Sequence, residues 1–450
     1  MKKLTVSAKW LLPIAAFGIS TITIVASAFG NKETKPARVV AKCCVNPAAN
    51  HVCVMKTILG IDTSEDGKKV STFVTSPMVN SAVKKGIEWV TNAQSPDGGW
   101  GSGGHDAQNV RDPHAVKTDP ASTSLVAMSL LRTDNTPEKG KYADALRKGT
   151  EYLLKAVENC PADQLQITSL TNTQPQVKLG RNIDVILTAQ FFTNLLRYDL
   201  NDEQLKSRVE RALDICIGKI QKTQSNNGAW QDGGWAPVLQ SALANNALES
   251  ADDVGRKVDS TTLKRSRDYQ SKNFNADTKS AVTGDAAGVM LYSITSTARA
   301  SAKDAQMAEV VITKAKKEGK LSKDAKVSEE NLAASGLSPS ESKNLATGYK
   351  INKAAQTEAM KDEVMSGFGN NGGEEFLSFL MTGESMLMQG GDSWKNWYDM
   401  MSGKLVNIQN KDGSWNGHHC ITSPVFCTAT CLLILSIHND MQFSIQAIKK

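Results

Sequence analysis

One seven-residue pattern recurs three times along this 450-residue chain. Each copy places Gly four residues after Gln and Trp two residues after Gly, as Gln94, Gly98, Trp100; Gln224, Gly228, Trp230; and Gln409, Gly413, Trp415. Gly permits a backbone conformation that a side chain would strain, Trp offers a large apolar surface, and Gln can cap the backbone at a helix end. We interpret the copies as structural staples between repeated units.

Helical stretches recur with a period of about 60 residues, which is long enough for one pair of helices. Lys85 to Val90 is echoed at 148–153, 211–215 and 265–269. Six apolar runs with little charge supply the second helix of each pair, at 121–131, 184–196, 237–248, 285–298, 374–388 and 424–437. Most of these runs begin with Pro or a carboxylate, which the first turn of a helix favours. We therefore expect six hairpins, with these runs as the inner layer.

A known family shares this pattern. Lys85-Gly86-x-x-Trp89-Val90, continued by Gln94, Gly98 and Trp100, resembles the repeat motif of squalene–hopene cyclases. Protein prenyltransferase β subunits and other α/α toroids share it in looser form. The resemblance implies an all-α fold, in which six inner and six outer helices close into an α/α toroid around a central cavity. It implies fold and not chemistry, and it makes the first and last units neighbours.

The residues that carry out the chemistry of those relatives are absent from this sequence. Squalene–hopene cyclases protonate an alkene through a D-x-D-D motif, whereas Asp252-Asp253 lacks the first Asp. Aromatic residues make up only 6% of the chain, too few for a cavity that stabilises carbocations. Prenyltransferases hold Zn²⁺ with Asp, Cys and His, but the D-x-C at Asp214 to Cys216 falls on a predicted outer helix. The C-G-E-Q thioester of complement-type toroids is also absent from the sequence.

The N-terminus predicts export to the periplasm or the extracellular space. Lys2 and Lys3 precede an apolar run from Trp10 to Ala28, as in a secretory signal peptide. Roughly 20 apolar residues could instead remain as a membrane anchor. No later stretch reaches spanning length, so no further membrane contact is expected. A net charge of +6 from 52 basic and 46 acidic residues is too small and dispersed to predict nucleic acid as a partner.

The domain organisation follows from these features. We expect a signal peptide at 1–28, a polar linker at 29–78, the toroid at 79–437 with an insertion at 301–350, and a tail at 438–450. The charged insertion is typical of a solvated helical excursion, with a partner-binding arm as the alternative.

Among eight cysteines, Cys43, Cys44 and Cys53 fit a local disulfide bridge or, with His51, a metal site. Cys427 and Cys431, on one helix face, are interpreted as buried thiols.

The loops between helices contain polar residues for which the structural role of the Gln-to-Trp segments gives no reason. His and carboxylates together suit general acid–base catalysis or a divalent metal. The catalytic candidates are Glu374, Glu375, His418, His419 and Asp119, and the ligand-binding candidates are His105, Asp106, His114, Asp184 and Asp285. Each also has a structural explanation, because loop histidines are often exposed and Glu374 and Glu375 could cap a helix.

We therefore expect an exported toroid that binds a small molecule or polymer in a polar central cavity, without the terpene cyclase motif. The alternative is an enzyme of the same fold, a lyase, hydrolase or terpenoid-modifying enzyme, that uses these residues with or without a divalent metal. Polysaccharide lyases and peptide cyclases also occur among toroids, so carbohydrates and peptides are candidate substrates. A structural or adhesive envelope protein is the third class.

Overall fold

The computed structural model describes residues 74–198, 200–369 and 371–439. The proposed signal peptide, most of the linker with its three cysteines, and most of the tail lie outside these residues. Among the helices described, none is long and apolar enough to cross a membrane. The five cysteines described are free thiols, and Cys427 and Cys431 are buried.

Six helices form an inner ring. They are α2 (Pro120–Arg132), α5 (Ile183–Leu196), α7 (Pro237–Asp253), α9 (Met290–Ala300), α14 (Gly373–Gln389) and α16 (Pro424–Leu435). Each packs against the next in chain order, and α16 packs against α2. The ring is therefore closed. Most of the residues in these helices are buried, as the weakly charged runs predicted for an inner layer.

Six further helices form the outer layer. They are α1 (Pro77–Asn92), α3 (Ala143–Glu158), α6 (Glu203–Lys222), α8 (Ser260–Gln270), α12 (Pro339–Ala359) and α15 (Gly391–Asn407). Each packs against the inner helix that precedes it, α12 packs against α10 as well, and α1 packs against α16. The chain is thus the all-α toroid of six hairpins that the sequence predicted.

Shorter elements connect these layers. They are α4 (Gln174–Leu179), α10 (Ala302–Lys317), α11 (Glu329–Ala334), α13 (Asp362–Met365), and the antiparallel strands β1 (Phe274–Asn275) and β2 (Ser280–Ala281). Three short 3₁₀ turns cover His105–Ala107, Pro113–Ala115 and Gly284–Ala286.

The Gln-to-Trp segments make the same contacts wherever they occur. The indole Nε1 of Trp100 donates to the Val90 carbonyl at the end of α1 (2.7 Å), and its backbone N–H donates to Thr123 Oγ1 of α2 (2.9 Å). Gln94 Nε2 donates to the Ala145 carbonyl in the first turn of α3 (2.8 Å). Each segment therefore ties one hairpin to the outer helix of the next. The indoles of Trp230 and Trp415 likewise bond to the carbonyls of Ile220 and Leu405, both at 2.8 Å.

The third copy closes the ring. Gln409 Nε2 donates to the Ala82 carbonyl of α1 (2.9 Å). A Cβ on Gly86 would lie 2.8 Å from the ring of Trp415, so this indole rests directly on α1. Gly413 has φ of 97°, a left-handed conformation that favours glycine, and a Cβ there would lie 2.8 Å from the Lys85 carbonyl oxygen.

Two elements differ from the sequence prediction. The fourth inner helix begins at Met290 and not at Asp285, because Ala287 (φ 51°) and Gly288 (φ 81°) are left-handed and break the helix. The outer helix α12 begins inside the proposed insertion and continues past its boundary at residue 350. A capping box starts it, in which the Ser338 N–H donates to Glu341 Oε2 (3.0 Å). The insertion therefore consists of α10 and α11. These helices have a small apolar core of their own, which α12 completes.

Candidate functional site

The inner helices all begin at one face of the ring, which we call the N-terminal face, and end at the other, the C-terminal face. At the N-terminal face the loops of the first and last units meet, as ring closure requires. The hydroxyl of Thr422 donates to the Gln108 carbonyl (2.5 Å), and Gln108 Nε2 donates to the Cys420 carbonyl. The Gly373 N–H donates to the Ile421 carbonyl (2.9 Å) and joins the fifth unit to the sixth.

The short helix α4 lies buried within this face. Gln174 Oε1 accepts hydrogen bonds from the backbone N–H groups of Thr422 (2.8 Å) and Ser423 (3.2 Å). Its Nε2 donates to the Ser102 carbonyl (2.9 Å). One amide side chain therefore connects the loops of the first, second and sixth units, and it anchors the short helix that carries Lys178.

Glu375 is the most connected carboxyl group of the face. It is 1% exposed, and its Oε1 accepts hydrogen bonds from the Tyr292 hydroxyl (2.7 Å) and the Phe368 N–H (3.3 Å). Its Oε2 accepts from the Gly372 N–H (2.9 Å) and lies 3.7 Å from His419 Nε2. The capping explanation is thus correct for one contact, while Tyr292 and His419 add contacts that a helix cap does not need.

Glu374, its neighbour in sequence, has few partners. It is 3% exposed, and its Oε2 accepts one hydrogen bond from the Ile421 N–H (3.2 Å). Burial and then the charge of Glu375 raise the pKa of Glu374 to about 8. Glu374 is therefore protonated near neutral pH and can donate a proton.

Cys420 lies beside this pair in a strained conformation. Its φ of 59° is left-handed, which is uncommon for a residue with a side chain. Burial and then the charge of Glu374 raise the pKa of the Cys420 thiol to about 12, so it is not a thiolate nucleophile at neutral pH. The turn directs its carbonyl to Gln108 and places His419 against Phe368, with ring centroids 5.5 Å apart.

A second group lies on the same face around Lys178. Its Nζ lies 3.2 Å from the centroid of the Trp235 ring, and the ring of His105 lies edge-on to Trp235 at 6.3 Å. Burial and then the charge of Lys178 lower the pKa of His105. The same charge acts on the pKa of Glu374, so the two groups interact electrostatically.

Asp119 and Asp184 both cap helix α2. Asp119 Oδ1 accepts from the Ser122 N–H (2.7 Å), and Asp184 Oδ1 accepts from the Ala121 N–H (3.2 Å). Burial raises the pKa of Asp119, and burial with the charge of Asp119 raises the pKa of Asp184 to about 7. Both side chains are fully buried, and Asp184 also accepts a hydrogen bond from Gln176 Nε2 (2.8 Å). These contacts give the two residues structural roles.

The remaining candidates lie apart from these groups. Asp285 Oδ2 accepts from the Tyr269 hydroxyl (2.8 Å), in the fourth unit. His418 is exposed, and its backbone N–H donates to the Asn371 carbonyl (2.8 Å). Asp106 and His114 are exposed as well, and His114 lines a surface cleft of about 430 Å³ beside α1. The structure therefore brings together Glu374, Glu375, His419 and His105, and separates the others.

Sequence reasoning missed three residues of this face. Tyr292 was visible as a single Tyr within a run of small polar residues. Lys178 lies in the short helix α4 and Trp235 in an irregular segment, and neither is long enough for a periodic pattern to mark the residue. A second cleft, of about 360 Å³, is lined by Val289, Met290, Phe368 and their neighbours and opens beside Glu375. Within the described residues, no group of three or more His, Cys, Asp or Glu side chains could hold a metal ion.

Residues 68–164 match the family model of the squalene-hopene cyclase C-terminal domain. This match supports a squalene-hopene cyclase/prenyltransferase-like family assignment for the chain. A search of curated proteins gives no match. The matched segment holds the first Gln-to-Trp copy, α2 and α3, and it includes His105 and Asp119. Glu374, Glu375 and His419 lie outside it, so the squalene-hopene cyclase match assigns them no role.

Proposed function

We propose that this protein is an exported α/α-toroid enzyme that performs acid–base chemistry at the N-terminal face of its ring. Glu374 donates a proton, and the pair of Glu375 and His419 accepts one. The observation that carries the proposal is the contrast between two adjacent buried carboxyl groups. Glu374 has one backbone partner and a pKa of about 8, whereas Glu375 is held by Tyr292 and faces His419. Neighbouring groups in such different environments are typical of acid and base partners.

The reaction class follows from these groups. A buried carboxylic acid can protonate a leaving group while an imidazole paired with a carboxylate removes a proton from the substrate or from water. This suits lyase or hydrolase chemistry on an extracellular carbohydrate or peptide. Alkene protonation for terpene cyclisation is not proposed, because the sequence has no D-x-D-D and few aromatic residues. The cleft beside Phe368 gives a substrate a route towards Glu375.

Ligand binding without turnover is the second candidate. Buried oxygen atoms of Gln190, Asn245 and Asn246 on the inner helices have no hydrogen-bond partner among the described residues. Buried polar groups are normally paired, so a polar ligand within the ring would satisfy them. The same toroid would then bind a small molecule or polymer as a receptor.

Turnover separates the two candidates. The wild-type protein is incubated with a panel of soluble carbohydrates and peptides, and products are followed by mass spectrometry. We expect Glu374→Gln to lower kcat by about 10² to 10⁴ on the substrate that is turned over, as loss of a general acid does. His419→Ala should lower kcat as well, whereas the adjacent exposed His418→Ala serves as the matched control and should not. Equal turnover by the wild type and Glu374→Gln would remove Glu374 as the donor.

Export rests on the N-terminal sequence. Lys2, Lys3 and the apolar run to Ala28 support a secretory signal peptide. Expression of the full chain in a bacterium, followed by fractionation and N-terminal sequencing, tests this. We expect the mature protein to begin close to Phe29, and recovery of the uncleaved chain in the cytoplasm would contradict export.

A further inference from the structure

We propose that the N-terminal face binds a carboxylate group of the ligand, through Lys178, Trp235 and His105. This inference rests on the proposed function, because it names the kind of substrate that the same face would take. Nothing in the family match assigns such a role to these residues, two of which lie outside the matched segment.

The main observation is the burial of Lys178 without a nearby carboxylate. The residue is only 2% exposed, yet no carboxylate oxygen of the described residues lies within 4.0 Å of its Nζ. Its one contact of note is the Trp235 ring, 3.2 Å away. Burial of an ammonium group is costly unless the charge is paired, and an aromatic face returns only part of that cost. An anionic ligand would complete the pairing.

Another buried lysine shows what a structural role looks like in this chain. Lys219 is 5% exposed, and its Nζ donates to the carbonyls of Gln164 and, at 3.4 Å, Pro161. These bonds hold the loop that follows α3. Lys178 has no comparable set of carbonyl acceptors among the described residues, so it is left available to a ligand.

His105 adds a hydrogen-bond donor. Gln108 Nε2 donates to the Cys420 carbonyl and lies 2.9 Å from His105 Nδ1, so Nδ1 is the acceptor. The neutral ring therefore carries its proton on Nε2, where it can donate to an anion. Burial and the nearby charge of Lys178 lower the pKa of His105 and keep the ring neutral.

A carboxylate fits this face better than a phosphate. The subsite offers one positive charge, and Glu374 and Glu375 lie on the same face. A dianion would be repelled by the charge of Glu375, whereas a single negative charge is balanced by Lys178. Trp235 is 56% exposed, although Lys178 covers part of one face of its ring, so a flat ligand can also stack on it.

Binding of simple anions to the full-length protein tests the inference without needing the substrate. Benzoate, its neutral analogue benzamide, and inorganic phosphate are titrated by isothermal calorimetry. We expect benzoate to bind, Lys178→Met to weaken it by about tenfold or more, and Lys178→Arg to retain it. Lys141→Met is the matched control, since Lys141 also lies over an aromatic ring, that of Tyr142, but is exposed.

Several outcomes would contradict this inference. Equal binding of benzoate by the wild type and Lys178→Met, or no binding by the wild type, would overturn the subsite. Tighter binding of phosphate than of benzoate would overturn the carboxylate assignment. If Lys178→Met unfolds, Trp235→Ala at its exposed ring must weaken benzoate instead. Glu374→Gln should bind benzoate as the wild type does, so loss of turnover and loss of anion binding are separate results.

Discussion

Carboxyl groups with little solvent exposure occur at both faces of the ring, and their surroundings are opposite. At the C-terminal face, Glu384 accepts hydrogen bonds from Arg132 (3.0 Å) and Arg299 (3.2 Å). Burial alone would raise the pKa of Glu384, but the charges of the two arginines outweigh it and hold the pKa below its ordinary value. At the N-terminal face, Glu374 has no arginine partner among the described residues, and burial with a like charge raises its pKa to about 8.

The difference separates stability from chemistry. Arg132 ends α2 and Arg299 lies near the end of α9, which are opposite members of the six-helix ring. The Arg132–Glu384–Arg299 network therefore spans the C-terminal face and ties opposite sides together. The N-terminal face leaves Glu374 and Lys178 without ion-pair partners among the described residues, an arrangement that costs stability and is expected where protons or ligands are handled.

The largest predicted effect is at the C-terminal face. Arg132→Met leaves the partly buried Glu384 with one arginine, and we expect a loss of about 2 kcal/mol in the free energy of unfolding, as for other lost hydrogen bonds to a charged group. Chemical denaturation at neutral pH measures it.

The control is Arg147→Met, at an ion pair with Asp144 that is exposed on the outer helix α3. Its unfolding should match that of the wild type, because exposed pairs contribute little. If the two variants lose the same stability, the network across the ring has no special role and the contrast between the faces fails.

The second prediction concerns the sign of the pH dependence. The pKa of Glu374 rises from 4.5 to about 8 on folding, so the folded protein keeps a proton that the unfolded chain releases. The stability that this group contributes is complete below pH 4.5 and is lost as the pH rises towards 8. Between pH 5.5 and 6.5, the free energy of unfolding of the wild type should fall by about 1.4 kcal/mol more than that of Glu374→Gln.

Glu384 gives the matched comparison. Because its folded pKa is lowered, its contribution is present above pH 4.5 and is lost as the pH falls through the folded pKa. Glu384→Gln should therefore leave the slope between pH 5.5 and 6.5 unchanged and flatten the acid limb. A Glu374→Gln curve parallel to the wild-type curve across the neutral range would show that Glu374 is ionised in the folded protein.

Much of the scaffold could be predicted because it repeats. The spacing of Gln, Gly and Trp reports the local contacts of one turn in three of the units, and the resemblance to cyclase repeats implies that six hairpins close into a ring. Asp285 was misplaced at a helix start because the left-handed Ala287 has no sequence signal. Within the candidate site, the proximity of Glu374 and Glu375 to His419 was predictable, since their loops belong to the consecutive fifth and sixth units.

The rest of the site depends on long-range contacts. Lys178 and Trp235 reach the N-terminal face because Gln174 bonds to loops of the first and last units, which no local pattern reports. Asp119 and Asp184 were candidate site residues because each stands at the start of a predicted inner helix. Their side chains turn instead to the start of α2, and only coordinates could show that both serve the same helix.

The smallest predicted effect tests whether a carboxyl group of the N-terminal face can be purely structural. Asp119→Ala removes the cap of α2, which normally costs about 1 kcal/mol. The loss should not be larger, because the substitution also removes the charge that adds to the effect of burial in raising the pKa of Asp184 to about 7. The pKa of Asp184 should then fall, which NMR titration can follow, while turnover persists. Asp112→Ala, at the exposed cap of a 3₁₀ turn, is the control and should change neither quantity. If Asp119→Ala abolishes turnover in a protein that remains folded, Asp119 belongs with Glu374 in the chemistry, and the division between capping and catalytic carboxyl groups at this face must be redrawn.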